Sequence, residues 1–188
     1  MMLNLNFMRC IQSEKVSVAY KLPIIALMLT LGVVGCSPSL NWRVVTVGSV
    51  QTMLPCKPEV ASRMVDFPGQ TLQINMVACE ADGILFAISH AQVSDSLQAS
   101  QIVKDWQKAA LSKMRSRAHT QTPLRMHSAK NQDPDTAQVM IHANGKRDNG
   151  QPFQAQFLWR VSGVHIYHWA VYADKIQADS IEPMFASY

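Results

Sequence analysis

From Leu22 to Val34 the chain is an apolar run, and after Trp42 apolar residues return only in short stretches with two different spacings. Trp42–Val47 and Ser49–Leu54 are rich in β-branched and apolar residues and predict strands, broken near Gly48. Pro55 and Pro58 flank Cys56 and end the second, while Ser62–Phe67 predicts a further short strand closed by Pro68-Gly69. Thr71–Ala81 and Ile84–Val93 flank Asp82-Gly83, a two-residue hairpin signature because both central positions take positive φ. Counting outward from that turn sets Cys79 opposite Phe86 and Val77 opposite Ile88 on one face. Leu72, Ile74, Met76 and Ala78 fall on the other. Neither face is cleanly polar, which predicts strands covered on both sides.

The spacing changes at Leu97. Ala99, Ile102, Val103, Trp106, Ala110 and Met114 form one helical stripe, with Gln101, Lys104, Lys108, Ser112 and Arg115 opposite, so Leu97–Arg117 is the one long predicted helix. Ser94, Asp95 and Ser96 supply capping side chains, and Lys113, Arg115 and Arg117 suit the negative end of its dipole. Strands are predicted again at Leu124–Lys130, Thr136–Asn144, Phe153–Ser162 and Val164–Ala173, the last two joined at Ser162-Gly163. Asp179–Ser187 has room for a short terminal helix. This order predicts an α+β domain: an antiparallel sheet with one long helix and a short C-terminal helix packed on it.

The apolar run at Leu22–Val34 follows Arg9, Lys15 and Lys21 and ends in Val33-Val34-Gly35-Cys36. With Lys21 at its edge and Pro23 inside, it falls short of the roughly 20 apolar residues a membrane span needs. A small residue before a cysteine in this setting resembles the bacterial lipobox. That resemblance implies a signal peptide over 1–35, cleavage before Cys36, and lipidation of Cys36 by two or three acyl chains, palmitate among them. Residues 36–41 are then a lipidated tether and 42–188 a single globular domain. Two or more chains anchor stably, each buried methylene contributing about 0.8 kcal/mol. Ser37 in place of an aspartate implies the outer membrane in preference to the inner, with the domain facing the periplasm. Met8 is an alternative start that leaves this reading unchanged.

Removing the leader takes Arg9, Lys15, Lys21 and Glu14 from the 17 Lys+Arg and 13 Asp+Glu, leaving 14 and 12, a net of +2. That balance gives no ground for nucleic-acid binding. Of the four cysteines, Cys10 leaves with the leader and Cys36 is acylated. Cys56 and Cys79 remain, and in an oxidising compartment they pair by default; free thiols or a redox pair are the alternatives. A bond closing a loop of this length is worth roughly 3 kcal/mol.

Several stretches have the spacing of catalytic or ligand-binding motifs without completing them. Gly145–Gly150 has phosphate-loop spacing but is followed by Gln151-Pro152 between two strands, and reads as a polar hairpin loop. Asn131, Asp133 and Asp135 have calcium-loop spacing, but Thr136 and His142 stand where glycine and glutamate belong. His165 and His168, three apart in a strand, point to opposite faces and cannot share a metal. His168 falls on the face with Phe157, Trp159 and Ile166, as a hydrogen-bonded core histidine. His119 and His127 sit among basic residues, and Glu80 and Asp82 flank the hairpin turn. No G-x-S-x-G elbow or acid/base carboxylate pair is present. No cofactor, metal or catalytic residue is therefore assigned.

One face is richer. Gln154, Gln156, Leu158 and Arg160 share a side with His165, Tyr167, Trp169 and Val171. Glutamines mixed with Tyr and Trp resemble a contact surface, so Tyr167, Trp169, His165, Gln154 and Gln156 are the candidate partner-binding residues. The competing expectation is that the terminal helix or the Trp42 segment covers them.

The run Leu54-Pro55-Cys56-Lys57-Pro58, the strand containing Phe86-Ala87-Ile88 and the ending Met184-Phe185-Ala186-Ser187-Tyr188 resemble small bacterial lipoproteins. Those carry an FPGKP-like segment, a Tyr-Ala-Val-like strand and a final F-x-x-S-F-like helix. The resemblance implies a PsbP-like fold, with Cys56 in place of the glycine. The function expected is a non-catalytic binding or accessory module, lipid-anchored in the cell envelope, whose partner is an envelope protein. The alternative is a periplasmic hydrolase or small-ligand carrier with a site that spacing alone does not reveal.

Overall fold

The computed structural model describes residues 40–115, 118–123 and 138–186, with backbone alone for Ala118 and 121–123. The leader, Cys36, His127 and the Asn131–Asp135 spacing lie outside these residues, as do the strand predicted at Leu124–Lys130 and the last two residues.

Asp82 and Gly83 take φ of 54° and 70°, so the chain reverses between β4 (Gln70–Ala81) and β5 (Ile84–Gln92) with Cys79 opposite Phe86. Ahead of them run β1 (Arg43–Val47), β2 (Val50–Leu54) and β3 (Glu59–Phe67). Helix α1 spans Ser96–Lys113, capped by the Asp95 carboxylate, which accepts from the Leu97 amide at 2.9 Å. It stops short of the predicted Arg117 because Arg115 turns left-handed, at φ 50°, and the Met114 carbonyl is taken by the Lys146 amide. Then follow β6 (Ala118–Pro123), β7 (Gln138–Lys146), β8 (Pro152–Ser162) and β9 (His165–Ala173). The predicted terminal helix is a 3₁₀ turn at Ala178–Ser180 and a single α turn, α2 (Glu182–Phe185). The turn between β8 and β9 is Gly163-Val164, since Ser162 pairs with His165. That moves each predicted partner by two residues along β9 and leaves the sidedness intact.

Seven strands form one antiparallel sheet in the order β3-β4-β5-β9-β8-β7-β6, while β1 and β2 pair only with each other. On one face α1 lays Ala99, Ile102 and Val103 against Leu72, Ile74, Ala91, Phe157, Trp159 and Ile166. On the other, the β1–β2 ribbon and α2 bring Val47, Leu54, Ile181 and Met184 onto Phe86, Ile88, Leu158, Tyr167 and Trp169. Over the central strands β5, β8 and β9 both faces are therefore dry, which is why these strands read as nearly continuous apolar runs.

The expected α+β, PsbP-like layout is overturned. Among the described residues strands account for 56% and helices for 20%, with one helix of real length. The second face is closed mainly by a β ribbon, and α2 is four residues long. The fold is sheet-dominated. The error has a physical source: a short apolar run carries no mark of whether it joins the sheet or lies across it.

Candidate functional site

Strand alternation decides which side chains share the ribbon face. Odd residues of β4 and even residues of β5 point to it, so Gln73, Asn75, His90 and Gln92 stand on the side that also carries Phe86 and Ile88. Cross-strand pairing then runs Ser62, Asn75, His90, Tyr167, Arg160, Gln138 as one polar row over six strands. The row passes under the ribbon from Tyr167 onward. At its other end nothing among the described residues covers it.

The boundary lies at the ribbon tip. Ser49 Oγ is 2.8 Å from the Tyr167 hydroxyl, which also accepts from the Ser49 amide at 3.2 Å. Gly48 adopts φ +60°, and a Cβ there would stand 3.0 Å from the Tyr167 oxygen and 3.3 Å from His90 Cδ2. Only glycine combines that backbone angle with so close an approach. Past the tip lies an open cleft of about 420 Å³ lined by Gln73, Asn75, His90, Gln92, Val93 and Ser94. Its amides and Ser94 are exposed and His90 is half-buried.

His90 is the centre of this cleft. Its Nε2 lies 3.1 Å from His165 Nδ1, so one ring donates and the other accepts. Its plane stacks on Tyr167 at 4.9 Å and on His165 at 5.3 Å between centroids. Burial, and then the neighbouring His165, hold the His90 pKa below its ordinary value. Two imidazoles in contact, one of them lining an open cleft, can when unprotonated bind hydrogen-bonding groups or a metal ion. Among the described residues no cluster of three or more His, Cys, Asp or Glu side chains occurs.

The predicted partner-binding residues are separated by the fold. Tyr167 is 0% and Trp169 5% exposed, so both rings belong to the core and the contact-face expectation fails for them. Trp169 Nε1 donates to Thr52 Oγ1 at 3.2 Å, and Thr52 Oγ1 donates to the Met184 carbonyl at 2.8 Å. The ribbon and α2 are thus the cover. Gln156 is buried, its amide 3.6 Å from Met140 Sδ. Gln154 is half-buried and accepts from the Ile176 amide at 2.8 Å. Both glutamines serve packing. His165 is half-buried and meets His90, which lines the open cleft and which the linear spacing never singled out.

Cys56 and Cys79 are bonded, with S–S 2.02 Å and Cα–Cα 5.9 Å, tying the segment after β2 to the end of β4. His168 sits on the α1 face, stacked on Trp159 at 4.3 Å, and its Nε2 has no hydrogen-bond partner, contrary to the expected bonded state. The Gly145–Gly150 segment joins β7 to β8, and its Arg147 pairs with Asp174 at 2.6 Å.

No protein-family model matches the chain, and no curated protein matches it. Among solved structures, PA94 from Pseudomonas aeruginosa, a protein of unknown function, is similar at 10% identity over 77% of this chain and 90% of its own. The TM-score is 0.37, too low to equate the two folds.

Proposed function

We propose that the chain is a lipid-anchored protein of the bacterial cell envelope, tethered through Cys36 and facing the periplasm, whose domain is a non-catalytic binding module for another envelope protein. The observation that carries the binding role is the outer edge of the sheet. Strand β3 runs nine residues along it, from Glu59 to Phe67, and among the described residues it has a neighbour on one side only. Its ribbon-face side chains Val60 and Met64 are 77% and 58% exposed. A long edge strand with exposed apolar positions invites strand addition unless something blocks it, and the polar cleft lies directly beside it. The Cys56–Cys79 bond supports an oxidising compartment. The open cleft also favours a second reading, a carrier for a small polar ligand.

Site-specific photo-crosslinking in cells tests the first reading. A crosslinker at Val60 or Met64 should yield a discrete protein adduct, and one at Leu97, exposed on α1, should not. With the crosslinker at Val60, Met64→Lys should abolish the adduct without lowering the melting temperature. No adduct at β3, or an equal one at Leu97, overturns it.

A further inference from the structure

We infer that His90 and His165 form a seat for a divalent transition-metal ion of the copper, nickel and zinc class, entered from the cleft beside the ribbon tip. The two nitrogens that face each other, His90 Nε2 and His165 Nδ1, are 3.1 Å apart. Metal–imidazole bonds of about 2.0–2.1 Å put two ligand nitrogens about 2.9 Å apart in cis square-planar geometry and about 3.4 Å in tetrahedral geometry. The observed separation lies between these values. The rings need only rotate so that their lone pairs converge on a point in the cleft and not on each other.

Imidazole suits copper, nickel and zinc. The proton account is simple: the ring now donating its hydrogen moves it to its other nitrogen, and both facing nitrogens become acceptors. The two backbones that carry the rings are fixed by strand pairing. His90 and His165 lie on adjacent strands β5 and β9, and His90 is pressed against Tyr167 beneath Gly48. Asn75 faces His90 directly across the β4–β5 pair, and Gln92 is the registered partner of His165. Their amide oxygens and water are the donors at hand for the remaining positions. With two strong ligands and an open mouth, such a seat suits exchangeable metal, not a closed structural site.

The test uses the full lipidated chain in detergent, titrated with Cu(II) and separately with Zn(II). The expected result is one equivalent of Cu(II) whose electron paramagnetic resonance spectrum shows coupling to imidazole nitrogen, with a rise in melting temperature on Zn(II) addition. His90→Gln and His165→Gln should each weaken binding at least tenfold, whereas His119→Gln and His142→Gln, at exposed positions, should leave it unchanged. Circular dichroism confirms that each variant is folded; should His90→Gln fail to fold, the His165→Gln variant and the wild-type spectrum decide. No stoichiometric binding, a spectrum without imidazole nitrogen, or binding that survives loss of His165 overturns the proposal.

Discussion

Tyr167 and Ser49, 118 positions apart in the chain, share a 2.8 Å contact between hydroxyls that pins the ribbon tip to the middle of the sheet. The tyrosine ring is fully buried and its oxygen also accepts from the Ser49 amide. Tyr167→Phe keeps the ring and leaves the Ser49 groups without a partner. The expected loss is about 1 kcal/mol, or roughly 2–4 °C in melting temperature for a domain of this size. Ser49→Ala should cost less after Tyr167→Phe than before it, because the two changes remove one contact. Additive losses in thermal unfolding would show that the contact does not hold the ribbon.

The Cys56–Cys79 bond joins residues 23 apart and fastens the segment after β2 to β4. It constrains the unfolded chain, so Cys56→Ala with Cys79→Ala should lower stability by about 3 kcal/mol. Denaturant unfolding of oxidised, reduced and doubly substituted protein measures this. Reduced and substituted forms should agree, and non-reducing peptide mapping should join the two cysteine peptides in the oxidised form.

Local signals carried the hairpin and the helix. Asp82-Gly83 specifies its own turn, so the pairing of Cys79 with Phe86 follows from counting. The stripe from Ala99 to Met114 matches the buried side of α1 because helical period is a local property. The candidate site was less legible. Sequence placed His165 and Tyr167 on one face, yet His90 joins them only through the pairing of β5 with β9, which closes over some 75 residues. A turn at Asp82-Gly83 puts Asn75 opposite His90, and that was the available hint. The fate of Tyr167 and Trp169 turned on whether the Trp42–Leu54 run would cross the sheet. That depends on tertiary packing, to which alternation within a strand is blind.

The proposed lipidation at Cys36 predicts a definite mass. Intact protein from membranes should carry acyl chains on an amino-terminal Cys36, and Cys36→Ala should leave the chain unprocessed or release it from the membrane fraction. Because one acyl chain holds only marginally and two or more hold stably, high salt should not extract the wild-type protein. An unmodified amino terminus would refute the anchor.

The last prediction concerns acid. His168 is buried against Trp159, Phe157 and Trp106, and burial pushes its pKa from 6.5 down to about 3. The unfolded chain therefore binds a proton near pH 6.5 that the folded chain refuses until about pH 3. Between those values the unfolded state holds more protons, so stability falls as pH falls, by about 1.4 kcal/mol per pH unit from this residue. Above pH 6.5 the penalty is absent. The lowered pKa of His90 acts in the same direction, through burial and then its neighbour His165. His168→Leu should flatten most of the slope between pH 6 and pH 4 in denaturant unfolding, and His90→Gln a smaller part. An unchanged slope in His168→Leu would mean that this histidine is protonated inside the fold, which its apolar surroundings forbid.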